Sequence, residues 1–176
     1  MKQILKKTLI LVLISMPIFL VAQDKKWTEN VKFGINGGGY FGQVYSFINL
    51  SPTVAYIFSD HFVAGINLPL FYISDGRFTK KLNSFNYGVS PFARYFVTDN
   101  LYLHGEIENM NVQRFDAFTL EKAGRTIYNT PMVGAGYFQR SASGGGVYIQ
   151  ALYILNYSTT NSYYNSPILL RVGVML

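Results

Sequence analysis

The stretch Ser84-Phe85-Asn86-Tyr87-Gly88-Val89-Ser90-Pro91-Phe92-Ala93-Arg94-Tyr95-Phe96-Val97-Thr98-Asp99-Asn100-Leu101-Tyr102-Leu103-His104-Gly105-Glu106-Ile107-Glu108 decides the fold. Phe85, Tyr87, Val89, Ala93, Tyr95 and Val97 share one parity. Asn86, Gly88, Ser90, Phe92, Arg94 and Phe96 share the other. After the turn at Thr98-Asp99-Asn100 the alternation resumes, with Leu101, Leu103 and Ile107 set against Tyr102, His104, Glu106 and Glu108. A period of two is the mark of a β-strand with two unlike faces. The two runs, residues 84–97 and 101–113, match or exceed the roughly 9–11 residues of a tilted membrane strand. They are far longer than the soluble average of about 5–6.

Outward from this hairpin the pattern repeats. Leu50-Ser51-Pro52-Thr53, Val89-Ser90-Pro91-Phe92, Asn129-Thr130-Pro131-Met132 and Asn165-Ser166-Pro167-Ile168 place prolines 39, 40 and 36 residues apart. Each proline begins an alternating apolar run. That spacing suits one long hairpin with a loop, and four hairpins give eight strands. The other six strands are predicted at residues 31–41, 47–58, 62–73, 126–138, 147–157 and 166–176. Ser59-Asp60-His61 forms a second three-residue turn, in the same place in the repeat as residues 98–100. The links at the opposite end are mostly longer. The glycine-rich link at residues 139–146 falls among the short turns and is longer than the pattern predicts.

The N-terminus belongs to something else. Lys2, Lys6 and Lys7 precede an apolar stretch at residues 8–21, then Ala22-Gln23 and the charged Asp24-Lys25-Lys26. This is the layout of a secretory signal peptide, too short in its apolar part for a comfortable spanning helix. Residues 1–23 are read as a cleaved leader and residues 24–176 as one domain. The leader lysines supply half of the net charge of +6, so the basic balance carries no nucleic-acid inference. With no Cys in the chain, neither a disulfide framework nor a lipid-modified cysteine holds the exported domain. No apolar run after the leader is long enough for a membrane-spanning helix. A membrane location therefore implies a closed sheet.

Which face meets the core decides between a soluble and a membrane barrel. The polar parity holds Arg94, His104, Glu106, Glu108 and Arg171 among Asn, Ser and Gly, and it lacks the Lys and Glu expected of a wetted exterior. These five are predicted to line a narrow lumen as a charge network, since buried charges need partners. A salt-bridged plug is the plain reading; a gated ion path is the sharper one. Tyr40, Phe41, Tyr72, Tyr95 and Tyr157 are candidates for interfacial girdles. His104 beside Glu106 has the composition of a catalytic pair, but its position near the short-turn end favours a wall residue. The glycines at 34, 37, 38 and 39 lie within a strand, so they suggest curvature rather than a phosphate loop. Arg77, Lys80, Lys81, Lys122 and Arg125 are predicted in surface loops, at residues 74–83 and 114–125, either simply solvated or touching lipopolysaccharide phosphates. No metal or other cofactor is expected.

The whole of residues 24–176 resembles a small bacterial outer-membrane β-barrel of the OmpA-like and OmpX-like eight-stranded class. The segment Tyr95-Phe96-Val97-Thr98-Asp99-Asn100-Leu101-Tyr102-Leu103 is similar to the short-turn hairpins of Bacteroidetes barrels, and the Ala22-Gln23 leader end is similar too. The last strand resembles the signal read by the barrel-assembly machinery, except that it ends in Leu176 where an aromatic residue is preferred. The resemblance implies an all-β, eight-stranded antiparallel up-and-down transmembrane β-barrel in the outer membrane. Its partners would be outer-membrane lipid, lipopolysaccharide, the assembly machinery and an envelope protein, with no nucleic acid. The expected role is non-enzymatic, either structural or in surface interaction. A small porin-like channel or accessory subunit, a lipid-modifying barrel enzyme and a secreted soluble ligand-binding barrel are the alternatives.

Overall fold

Alternation along the chain becomes one antiparallel sheet of nine stretches: β1 (Val31–Phe41), β2 (Tyr45–Ile57), β3 (Phe62–Asn67), β4 (Leu70–Asp75), β5 (Leu82–Phe96), β6 (Leu101–Phe115), β7 (Lys122–Arg140), β8 (Gly146–Ile154) and β9 (Ile168–Met175). The computed structural model describes residues 29–116, 118–141, 145–159 and 162–176, with Tyr40 described in its backbone only. The expected leader, residues 1–23, lies outside the described residues. No described helix is long and apolar enough to cross a membrane.

β1 pairs with both β2 and β9, so the sheet closes on itself. β3 and β4 are two halves of one strand, because both pair with β2 on one side and β5 on the other. Their registers are continuous: Thr53 pairs with Asn67 and Leu50 with Leu70. The fold is therefore an eight-stranded antiparallel closed barrel. Its third strand, predicted unbroken over residues 62–73, is interrupted at Leu68-Pro69. Pro69 has no N–H to give the ladder. Its carbonyl still accepts from Gly88 N at 2.9 Å, and Leu68 N donates to Pro52 O at 2.8 Å. Pro52, Pro91 and Pro131 lie inside β2, β5 and β7, within the strands predicted for them. Beside Pro91 the β5–β6 pairing lapses, resuming at Phe92 against Glu106.

The two faces are inverted relative to a soluble barrel. Outward side chains are large and apolar around the circumference, and Leu103, Ile149 and Leu170 are 55%, 51% and 74% exposed. Inward side chains include Asn36, Ser51, Thr53, Asn67, Ser90 and Gln150, all buried. The lumen is layered. A cluster containing Val63, Phe92, Phe96, Tyr102, Phe138 and Tyr148 lies toward the short-turn end, beside a cavity of about 450 Å³ that reaches Arg94. A second cluster, Met132, Leu152 and Ile154 with Tyr164 and Leu169, lies toward the long-loop end.

Two cross-strand pairs explain how large rings fit so narrow a lumen. Tyr102 lies opposite Gly136, and Tyr148 opposite Gly173. A methyl group on Gly136 would sit 2.3 Å from Tyr102 Cζ, and one on Gly173 would sit 2.5 Å from Tyr148 Cζ. Each ring lies across the bare backbone of its neighbour, as aromatic side chains do when they cover strand glycines.

The β6–β7 hairpin is longer than predicted. Pairing runs to Phe115 against Lys122, leaving residues 116–121 as the loop. A register shift between Gln113 and Phe115 is accommodated with Gly124 at φ 100°, a conformation that suits glycine. The link between β7 and β8 spans residues 141–145; Ser141 N donates to Gly145 O at 2.7 Å, and residues 142–144 lie outside the described residues.

Candidate functional site

The lumen charges form one connected chain. Glu106 on β6 is its hub. Arg171, from β9, donates through Nη1 to Glu106 Oε1 at 2.7 Å and Oε2 at 2.8 Å, and through Nη2 to Glu108 Oε2 at 3.3 Å. Tyr164 closes the upper end by donating its hydroxyl to Glu108 Oε1 at 2.7 Å. This tyrosine sits in the β8–β9 loop. Burial first, and the neighbouring carboxylate second, push its hydroxyl well above the usual tyrosine range. It therefore stays a donor at any physiological pH.

Below Glu106 the chain continues through an imidazole. Arg94 Nε lies 3.3 Å from His104 Nδ1, and His104 Nε2 lies 2.9 Å from Glu106 Oε2. Arginine has no acceptor, so Nδ1 must accept. The ring is then neutral, carries its proton on Nε2 and donates it to Glu106. Phe92 stacks on the imidazole at a centroid distance of 5.4 Å. Arg94 itself has no carboxylate within ion-pair reach among the described residues. Its guanidinium lies 4.9, 5.0 and 4.4 Å from the ring centres of Phe92, Tyr102 and Tyr148, and its Nη2 donates to Gln150 Oε1 at 3.4 Å. Aromatic faces replace part of the lost hydration of a buried cation.

The charges balance within this chain. Two arginines oppose two glutamates around a neutral histidine. Arg171 with Glu106 and Glu108 carries a net charge of −1, and Arg94 offsets it across the His104 bridge. A side branch adds neutral hydrogen bonds. Asn67 Nδ2 donates to Glu106 Oε2 at 3.3 Å, and Thr53 Oγ1 donates to Asn67 Oδ1 at 2.7 Å. Asn36 Nδ2 reaches Thr53 Oγ1 at 3.5 Å. The network thus ties together β1, β2, β3, β5, β6, β8 and β9.

All five predicted lumen residues, Arg94, His104, Glu106, Glu108 and Arg171, lie in this network. Sequence reasoning missed Asn67, Tyr102, Gln150 and Tyr164. Parity marks the first three as inward, but only the register shows which charge each one meets. The signal for Tyr164 is the pair Tyr163-Tyr164, two rings in an otherwise polar loop.

The five predicted surface residues separate into two groups. Arg77 is tied to Asp75, its Nη2 2.6 Å from Oδ2. Arg125 was predicted in a loop but lies in β7, where it acts as a cross-strand clamp. Its Nη2 donates to Phe85 O at 3.0 Å and to Asn111 O at 2.7 Å, and its Nε bonds Asn111 Oδ1. Lys122 also lies in β7 rather than in a loop, because hairpin pairing extends through this polar stretch. Lys80, Lys81 and Lys122 are exposed around a shallow depression that includes Phe115 and Leu120. Among the described residues no three His, Asp or Glu side chains are placed to share a metal ion.

A closed barrel with an apolar exterior and an ion-paired interior is an architecture rather than an activity. No protein-family model matches the chain, and no curated protein matches it as a relative.

Proposed function

We propose that the chain is a transmembrane barrel of the bacterial outer membrane, non-enzymatic, with a structural or surface-interaction role. The observation that carries this is the inversion of the two faces. Exposed Leu, Ile, Val, Phe and Tyr cover the outside, while Arg94, Glu106 and Glu108 are 2%, 4% and 1% exposed. Water would penalise that exterior, whereas hydrocarbon accepts it, and closure pairs the edge strands that an open sheet would expose to lipid. The long strands fit the same reading, as does the long β8–β9 link at residues 155–167. The loops would face outward, toward lipopolysaccharide and any envelope partner.

The lumen favours a plug over a pore. The hydrogen-bonded chain crosses the interior from Arg94, set among the rings of Phe92, Tyr102 and Tyr148, to Tyr164, which packs on the Met132, Leu152 and Ile154 cluster. His104 is 3% exposed, with both ring nitrogens engaged, which argues against a role in lipid chemistry.

The test is expression of the full chain in a bacterial host, followed by membrane fractionation and planar-bilayer recording. The reading expects the protein in the outer-membrane fraction, extractable only with detergent, showing heat-dependent gel mobility and no single-channel openings. Recovery as a soluble periplasmic protein would overturn the membrane reading. Stable conductance steps would replace the plug with the channel alternative.

A further inference from the structure

Among the described residues, pairing along the β1–β9 seam stops short of the long-loop end. On β1, Gly34, Ile35, Asn36 and Gly37 pair with Met175, Val174, Gly173 and Val172 of β9. Neither Gly38 nor Gly39 continues that pairing. Above Gly37, β1 keeps its other neighbour β2, and β9 keeps β8. The two strands part toward the long-loop end.

A cavity of about 380 Å³ lies at this parting. Its lining includes the inward side chains Phe47, Phe71 and Leu169 and the loop residues Tyr163 and Tyr164. It also includes Leu170, which points out of the barrel and is 74% exposed. With consecutive β9 residues of both parities in its lining, the cavity reaches the wall beside that strand. The opposite lip is Gly37-Gly38-Gly39, which carries no side chains. The same glycines border an apolar groove on the outer surface with Phe41, Ile48 and Leu50. Groove and cavity therefore meet at the glycine lip.

The inner lip has an open polar valence as well. Asn49 Oδ1 is buried with no hydrogen-bond partner. It lies 3.3 Å from the place a Gly38 Cβ would occupy, and nothing else lies within 4 Å of that place. Buried acceptors are nearly always satisfied, so one left open at a cavity mouth points to a group that belongs there.

We propose that this slot admits the acyl chain of a bilayer lipid sideways into the lumen. The inference rests on the membrane reading above. Entry is from the apolar outer surface, so the entering group must be hydrocarbon. An aqueous solute would instead descend the loop mouth, past Tyr163 and Tyr164, which pack on Phe71 and on each other. Moving a chain from lipid to the slot removes no water from it, so the hydrophobic effect contributes little. The gain is dispersion contact in a void whose lining otherwise lacks partner atoms. The cavity is within the common range of ligand sites, about 300–1,000 Å³. Asn49 adds a preference for chains with a hydroxyl or amide N–H near the head.

The test uses the full chain inserted into phosphatidylcholine vesicles that contain a phospholipid with a diazirine in one acyl chain. After photolysis, labelled residues are read by peptide mass spectrometry. The inference expects label on inward Phe47, Phe71 or Tyr164 in addition to outward positions such as Val172. Gly38→Leu fills the slot from β1 and Ile73→Trp fills the cavity from β4. Whichever of these inserts should cut inward labelling at least fivefold and leave outward labelling unchanged. Label confined to outward residues, or inward label equal in wild type and variants, would overturn the slot while leaving the membrane reading standing. Absence of label at every position would overturn both.

Discussion

Replacing Arg171 by Met tests whether the lumen network holds the barrel together. The guanidinium side chain is 11% exposed and touches two carboxylates whose side chains are 0% and 1% exposed. Charges about 4 Å apart in an effective dielectric of about 20 attract by about 4 kcal/mol. Much of that is offset by the cost of desolvating the ions, so the intact pair contributes little net stability. Removing one partner is different, because Glu106 and Glu108 then stay buried without a cation. Breaking buried pairs in this way costs about 3–5 kcal/mol. Arg171→Met should therefore lower the unfolding free energy in detergent micelles by about that amount, read from urea titrations followed by circular dichroism. The double variant Glu106→Gln/Arg171→Met removes the orphaned charge at the hub. It should be more stable than Arg171→Met alone by about 1–2 kcal/mol, a coupling typical of residues in one network. A loss below about 1 kcal/mol for Arg171→Met, or strict additivity in the double variant, would refute the reasoning.

Further expectations follow from other parts of the barrel. Gly136→Ala or Gly173→Ala would force a methyl against a buried tyrosine ring, and each should cost about 1–3 kcal/mol in the same titration. Gly105→Ala meets nothing within 4 Å and should be nearly neutral. Ile107 is 49% exposed on the outer face, and Ile107→Arg should cost about 2–4 kcal/mol if that face lies in hydrocarbon. A near-neutral result would point to water there instead. At the β6–β7 tip, Asp116 Oδ1 accepts from Phe118 N at 2.9 Å and Thr119 N at 2.8 Å, and these backbone donors hold its carboxyl below the usual range. A lowered folded value means the turn is fully supported above the ordinary carboxylate range and loses support as pH falls through the lowered value. Hydrogen exchange should therefore show the Phe118 and Thr119 amides protected at neutral pH and losing protection only in acid. In Asp116→Ala that pH dependence should vanish.

The strand count was legible because each strand is long and its two parities differ so clearly. Residues 84–108 alone carry enough alternation to assign both faces of a hairpin. The interruption at Leu68-Pro69 was marked in the sequence by Pro69 itself, but the apolar alternation of residues 62–73 outweighed it. Charge at residues 114–125 reads as loop in the sequence, whereas β6–β7 pairing continues to Phe115 and Lys122. Charge marks contact with water, and a hairpin projecting from a barrel satisfies that just as well. Arg125 shows the mechanism, using its donors to clamp β5 and β6 to β7. At the lumen, parity selects which side chains share an interior. It says nothing of register, so the Tyr102–Gly136 and Tyr148–Gly173 pairs and the His104 bridge could not be read. The slot beside β9 was hidden for the same reason: the glycines at 37–39 were visible, but the point where pairing stops was not.

The central claim is that outward side chains meet hydrocarbon. Because the chain has no Cys, single cysteines at Leu103, Ile107, Ile149 and Val172, and for comparison at Ser90 and Thr130, can each carry a nitroxide in vesicle-inserted protein. The account predicts that oxygen, which concentrates in lipid, relaxes the first four strongly while a water-soluble nickel chelate does not, and that both reagents leave Ser90 and Thr130 nearly untouched. Strong relaxation of the first four by the nickel chelate would place that surface in water and contradict the account.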